Sequence, residues 1–268
     1  MVDDQSEFEG KPFVAPCNKL DAFAGFRWLK AGWSDFRRAP RVSLIYGGFL
    51  VALGYLLAFF AWQIGGYILL FSVLSGLVFI APVFAFGLYS VSCQIQEGYE
   101  PRLGYCLREG RRHFSNELIY SFILLVVFLL WARAGSAIHI FFPMQDKPSV
   151  TDLLAFFGVG SAVGAVFATV AFCASAFSLP MMLDRRVDAV TAVITSVNAV
   201  LRNKLAMFIW AGIIVVTVLL GLVTALLGFA VLMPVIGYAT WHGYRQTIIA
   251  DEWTENVKLS DGHQTVEG

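Results

Sequence analysis

The chain has 268 residues, is 58% hydrophobic and only 14% charged, and balances 19 basic against 19 acidic side chains at a mean hydropathy of +0.70. Soluble domains carry about 25% charged residues; here the apolar excess comes in long blocks, as in an integral membrane protein, and a net charge of zero gives no basis for nucleic-acid binding. Cys17, Cys93, Cys106 and Cys173 form no CxxC pair and no Cys/His metal spacing, so neither a disulfide framework nor a metal site is expected.

Residues 1–19 are polar, contain Pro12 and Pro16, and are expected to be a disordered tail. The first 41 residues carry charges throughout and lack the early apolar core of a signal peptide, so the first apolar run is expected to be an uncleaved anchor. Within 21–38, Phe23, Phe26, Leu29, Trp33 and Phe36 share one helical face, ringed by Arg27, Lys30, Arg37 and Arg38. Basic residues with aromatic anchors, Trp28 among them, predict a helix lying on an anionic membrane surface.

No charge occurs from Val42 to Ser92. A helix of that length would run about 75 Å, against a hydrocarbon core of about 30 Å. The run must therefore turn back, at Gln63, Gly65 and Gly66, which predicts spans over 42–62 and 67–92, the second interrupted by Pro82. Residues 93–116 are polar and basic, with a weaker surface helix over 99–114 in which Leu103, Leu107, Gly110 and Phe114 keep a helical step.

A third span is predicted over 117–142 and, after PMQDKPS, a fourth over 153–183, whose Gly158, Gly160, Gly164, Ala168 and Ala171 suit close helix contact. Next, Val187, Val190, Ile194, Val197 and Leu201 recur on one helical face, with Asp188, Thr195 and Arg202 on the other. This helix is too polar to span and is expected at the membrane surface or beneath the bundle, its valine–isoleucine–leucine face toward apolar material and Thr195 away from it. Residues 205–244 again lack charge and predict spans over 205–225 and 228–247, joined by a tight turn near Gly228, with Pro234 inside the last. The segment 251–268 is expected to be a second disordered tail.

The fold class that follows is all-α: a polytopic bundle of six transmembrane helices over 20–250 with amphipathic helices on its cytoplasmic face. An even number of spans puts both termini on one side. The N-terminal segment, the loop between spans two and three, the loop between four and five, and the C-terminal segment hold seven, four, four and two Lys or Arg, against Lys147 alone on the other side. The positive-inside rule then makes both termini cytoplasmic. Leu29, Leu107 and Ile194 each precede Arg38, Asn116 and Asn203 by nine residues, at or near the starts of the odd spans. This suggests three repeats of a surface helix followed by a helix pair.

Arg133 is the only charge inside a span, by default a functional candidate, although it sits about 24 Å up its helix from Glu117, where it can snorkel outward. His113, His139, His242 and His263 form no buried pair for haem or metal by this topology. His242, flanked by Trp241, Tyr244 and Arg245, reads as part of an interfacial anchor. Asp184, Arg185, Arg186 and Asp188 read as a solvated inner-face turn or as a docking surface. The candidate functional or partner-binding residues are thus Arg133, Asp184, Arg185, Asn203, His242 and Arg245, with Arg27, Trp28, Trp33, Arg37 and Arg38 at the membrane surface. No nucleophile motif, carboxylate pair or phosphate loop is present, so neither enzyme activity nor a cofactor is expected.

Three stretches resemble a known family together: RWLKAGWSDFRRAPRVSLIYG at 27–47, FIAPVFAFGLYSVSCQIQEG at 79–98, and SLPMMLDRRVDAVTAVITSVNAVLRNK at 178–204, followed by MPVIGYATWHGYRQ at 233–246. They are similar to the bacterial integral membrane proteins grouped as domain of unknown function 2189, over residues 20–250. The resemblance implies a bacterial inner membrane. Some members carry a cytochrome c oxidase subunit label, but this chain lacks the buried histidine pairs of a haem-bearing core, and that respiratory function is not carried over. The expected function is a non-enzymatic scaffold or accessory subunit of a membrane complex, with the lipid bilayer and a membrane protein as partners. The alternative is a small-molecule transporter or channel.

Overall fold

The computed structural model describes residues 12–101, 114–141 and 149–256, without the side chains of 65–84, 114–118, 138–141 and 153. Eight helices are assigned in these residues: α1 (Ala24–Arg38), α2 (Pro40–Gln96), α3 (Phe114–Phe141), α4 (Val150–Ser175), α5 (Ser178–Asp184), α6 (Ala189–Arg202), α7 (Lys204–Val223) and α8 (Phe229–Thr247). The expected surface helix at 99–114, Arg108, Arg111, Arg112 and His113 with it, and the loop carrying Lys147 lie outside the described residues, as do the side chains of Pro82 and His139.

The helix boundaries follow local chemistry. Pro40 opens α2, its fixed φ suiting a first helical position. The end of α2 is closed by Gly98 at φ +84, with Gly98 N–H donating to Ile95 O and Tyr99 N–H to Gln94 O, the paired closure that a left-handed glycine permits. α4 starts earlier than expected because Ser149 and Asp152 form a reciprocal cap: Asp152 N–H donates to Ser149 Oγ at 3.1 Å and Ser149 N–H to Asp152 Oδ2 at 3.0 Å. The expected single span over 153–183 is broken at Ala176–Phe177 into α4 and α5. Pro180 has no N–H and its ring would clash with the Ala176 carbonyl, so one helix cannot run through.

α2 is helical through the expected break at Gln63, Gly65 and Gly66, since a glycine pair costs only about 1 kcal/mol per residue in a helix. The chain nevertheless reverses. A Cβ on Gly87 would stand 2.7 Å from the Tyr46 ring, whereas 41 residues of straight helix would separate them by about 61 Å. The first half of α2 runs antiparallel to α8, with Ser43 Oγ 2.7 Å from Tyr238 Oη and Gly47 against Ala230. The returning half runs beside α8, Leu88 meeting Gly237 and Gln96 meeting Trp241.

These contacts are close because small residues face one another. A Cβ on Gly47 would lie 2.1 Å from Ala230 O, the carbonyl that Pro234 leaves without its helical donor. A Cβ on Gly32 would lie 2.5 Å from Val235 O. In α4, by contrast, a Cβ on Gly158 or Gly160 would meet nothing within 4 Å. The close helix contact expected of α4's small residues is made instead among α1, α2 and α8. The turn between α7 and α8 is carried by Ala225 (φ 50) and Leu226 (φ 70), not by a left-handed Gly228. Gly228 is needed because its N–H donates to Thr224 Oγ1 at 2.9 Å, too close for a side chain.

Buried side chains collect at one end of the molecule. Trp28, Tyr89, Phe177, Met181, Trp241, Tyr244 and Trp253 form one core, each at most 4% exposed. Phe49, Phe59, Phe60, Leu125, Leu129, Phe157, Val166, Val215, Val216 and Leu219 are exposed along α2, α3, α4 and α7, far more apolar surface than a water-soluble monomer presents. Among the described residues, four stretches are long and apolar enough to cross a membrane: Pro40–Ile64, Ile119–Ala137, Val150–Asp184 and Lys204–Val223.

Both expected tails are partly folded. Ala15 is fully buried, Cys17 pairs with Ile248 and Arg185 with Glu255 in antiparallel bridges, and Trp253 is 2% exposed. Residues 12–19 and 251–256 are therefore structured, ordered by backbone pairing and a buried tryptophan that polar composition did not announce; 1–11 and 257–268 lie outside the described residues.

Candidate functional site

Two buried polar clusters lie at the core end, and each joins segments far apart in sequence. The first centres on Asp184, the last residue of α5, whose side chain is 4% exposed. Its Oδ2 accepts from Tyr244 Oη–H at 2.7 Å, Arg185 Nε–H at 3.0 Å and Arg245 Nη1–H at 3.0 Å. Arg185 also donates to Trp253 O at 3.0 Å and pairs with Glu255 at 3.3 Å. Burial alone would lower the Arg185 pKa, but the Asp184 carboxylate beside it, with Glu255, leaves it raised above the ordinary arginine value. Asn256 donates to Met182 O and Leu183 O at 3.0 and 2.8 Å, fastening the C-terminal segment beneath α5. Asn18, Asp184, Arg185, Tyr244 and Arg245 line a depression of about 230 Å³.

The second cluster centres on Asp35 of α1, 4% exposed. Its Oδ2 accepts from Ser92 Oγ–H at 2.6 Å and contacts His242 Nε2 at 2.8 Å. His242 Nδ1 lies 3.0 Å from Gln96 Nε2, and Trp241 Nε1–H donates to Gln96 Oε1 at 2.8 Å. α1, α2 and α8 are thereby tied by one continuous chain of hydrogen bonds.

The structure corrects several sequence expectations here. Asp184 and Arg185 are buried, at 6% and 8% exposure, not part of a solvated turn; three donors and the neighbouring charges offset their desolvation. Asp188 does cap a helix, accepting from Val190 N–H and Thr191 N–H. Trp241 and Tyr244, each 1% exposed, are core residues rather than an interfacial anchor. Trp28 is 2% exposed and donates to Gln246 Oε1 at 2.6 Å, so it does not belong to the membrane-surface set. On α1, Phe36 and Asp35 face inward, while Phe23, Phe26, Trp33, Lys30, Arg37 and Arg38 face outward. Arg27 pairs with Asp21, and that contact, with the Phe23 N–H, lowers the Asp21 pKa.

On α6 the side expected to point away, that of Thr195, is the one packed inward. Thr195, 1% exposed, accepts from Ala15 N–H at 3.1 Å, and Ser196 bridges the α4–α5 break, accepting from Phe177 N–H at 3.1 Å and donating to Cys173 O at 2.7 Å. Of the predicted apolar stripe, Val187 is buried, but Val190 and Leu201 are 47% and 55% exposed.

Asp184, Arg185 and Arg245 are thus brought together, and His242 acquires two partners that sequence reasoning missed, Asp35 and Gln96, which are bonded in turn by Ser92 and Trp241. The available signal was Asp35, an acid seven residues after Trp28 and on the same helical side, away from Phe26, Leu29 and Trp33. Asn203 stands apart as a buried hinge, donating to Asn18 O and Ala199 O and accepting from Leu20 N–H. Arg133 is exposed on α3 and joins neither cluster. Among the described residues no group of three or more His, Cys, Asp or Glu could hold a metal ion.

No curated protein and no solved structure matches the chain. Residues 68–184 match a family model described as predicted integral membrane protein (DUF2189). The match is shorter than the resemblance over 20–250, but it includes the returning half of α2, α3, α4 and α5 with Asp184. With its exposed apolar helices and this match, the chain is similar, over residues 68–184, to the DUF2189 predicted integral membrane proteins.

Proposed function

We propose that the chain is a non-enzymatic scaffold or accessory subunit of a membrane complex, crossing a bacterial cytoplasmic membrane six times with both ends in the cytoplasm. The observation that carries this reading is the internal use of the buried charges. Asp35, Asp184 and Arg185 are all bonded to groups of the same chain. They clamp helices and termini together and present no converging set of free groups to a substrate.

The two halves of α2, then α3, α4 with α5, α7 and α8 are the six spans. Reversal within α2 and the tight α7–α8 turn support the count. The bridge between Cys17 and Ile248 supports a common side for the ends. α1 and α6 each enter the following span through a hinge of similar shape, Ala39 at φ −127, ψ 54 and Asn203 at φ −119, ψ 41. That likeness supports a repeated surface-helix and helix-pair unit, one residue out of the Arg38–Asn203 register. Lys30, Arg37 and Arg38, with exposed Phe23, Phe26 and Trp33, suit an anionic inner leaflet.

The transporter reading draws on the broken helix at Ala176–Phe177, since transporters use such breaks at their sites. Ser196 already occupies backbone groups of this break. Purification in mild detergent with crosslinking, beside flux assays in liposomes, separates the two. A stoichiometric protein partner and no flux supports the scaffold; solute flux by the purified chain overturns it. For topology, periplasmic labelling of a cysteine placed at Asp261 would refute the orientation.

A further inference from the structure

We propose that His242 is a proton-operated latch that holds the end of α2 to α8 only while its imidazole is neutral. The argument is donor and acceptor accounting. The Trp241 indole N–H can only donate, so the Gln96 atom 2.8 Å away is the amide oxygen. The Gln96 amide nitrogen therefore faces His242 Nδ1 at 3.0 Å and donates to it. Nδ1 is then the unprotonated nitrogen, and Nε2–H donates to Asp35 Oδ2 at 2.8 Å. Every donor points along one direction, from Trp241 through Gln96 and His242 to Asp35.

When Nδ1 takes up a proton, both ring nitrogens become donors. No orientation of the Gln96 amide serves both neighbours then: facing oxygen to His242 turns its NH2 against the Trp241 N–H. The link from α2 to α8 is weakened. The link from α1 to α8 is strengthened, because Asp35 now faces an imidazolium. The charged and titratable groups around the ring are few. α1 contributes Asp35, while Arg38 one turn on is exposed. α2 contributes the uncharged Ser92 and Gln96, while the adjacent Glu97 accepts from Cys93 Sγ. On α8, Arg245 is turned to Asp184. The His242 side chain is 20% exposed, so protons reach it. The latch is independent of whether the chain acts as a scaffold or as a transporter.

The test is selective 15N labelling of histidine rings and tryptophan indoles in the full chain in nanodiscs, with His242→Gln and Trp241→Phe assigning the signals. At neutral pH the ring should be the Nε2–H tautomer, and on acidification the Trp241 indole signal should move in step with His242 protonation. Gln96→Glu supplies a carboxylate that accepts from both neighbours, so Trp241 should become insensitive to acid. An Nδ1–H tautomer at neutral pH, a Trp241 signal that stays still on acidification, or a Gln96→Glu variant whose Trp241 signal still moves overturns the latch.

Discussion

Asp184→Asn separates charge from shape at the point where three donors converge on one buried carboxylate oxygen. The amide keeps an oxygen near Tyr244 but removes the charge facing Arg185, whose side chain is 9% exposed. Glu255 remains for Arg185 at 3.3 Å, but it is 44% exposed, and such a half-solvated partner supplies about 0–1 kcal/mol. Arg245, 42% exposed, returns to water at small cost. The loss is dominated by the orphaned Arg185, and breaking a buried pair from one side costs about 3–5 kcal/mol. For a domain of this size that corresponds to a Tm lower by about 6–20 °C. Thermal unfolding of the purified protein in detergent, followed by intrinsic fluorescence, measures it. The double variant Asp184→Asn/Arg185→Met should recover much of the loss, since no buried charge is left unpaired. A single variant within about 2 °C of the parent, equivalent to less than about 1 kcal/mol, or a double variant worse than the single, would refute the reasoning.

Thr195→Asp puts a carboxylate into a 1% exposed site and should cost several kcal/mol, whereas Ile194→Asp, half-buried on the outward side, should cost less; membrane yield and Tm rank them, and the opposite order would overturn the orientation of α6. Gly47→Ala places a methyl 2.1 Å from Ala230 O and should cost about 1–3 kcal/mol through helix separation, while Gly158→Ala, in open space, should be neutral or slightly stabilising in the same melt. Asp21 has a lowered carboxyl pKa in the fold, so its contribution is present above the unfolded carboxylate value and is lost as pH falls through the lower folded one. Carbon-13 titration of Asp21 should show its midpoint rise in Arg27→Gln; an unchanged midpoint would dissociate the shift from Arg27.

The sequence by itself determined the membrane class, the helix-rich blocks and the need for a reversal between Val42 and Ser92. These depend on composition, length and neighbours a few residues away, all of which are local. Tertiary structure alone decided which side chains meet. Asp35 and His242 are 207 residues apart, and Asp184 and Arg245 are 61 apart; no periodicity encodes such pairings. It also decided which faces turn inward, and on α6 that is the side of Thr195, which was expected to point away. Where the surroundings are themselves apolar, a valine or leucine gains nothing by turning to the protein, so α6 shows Val190 and Leu201 outward. The interior is left to residues that pack closely or can be hydrogen-bonded, such as Gly32, Asp35, Thr195 and Ser196. Small and polar residues carry little hydrophobic signal, which is why the parts of the chain that hold the fold together were the least visible in its sequence.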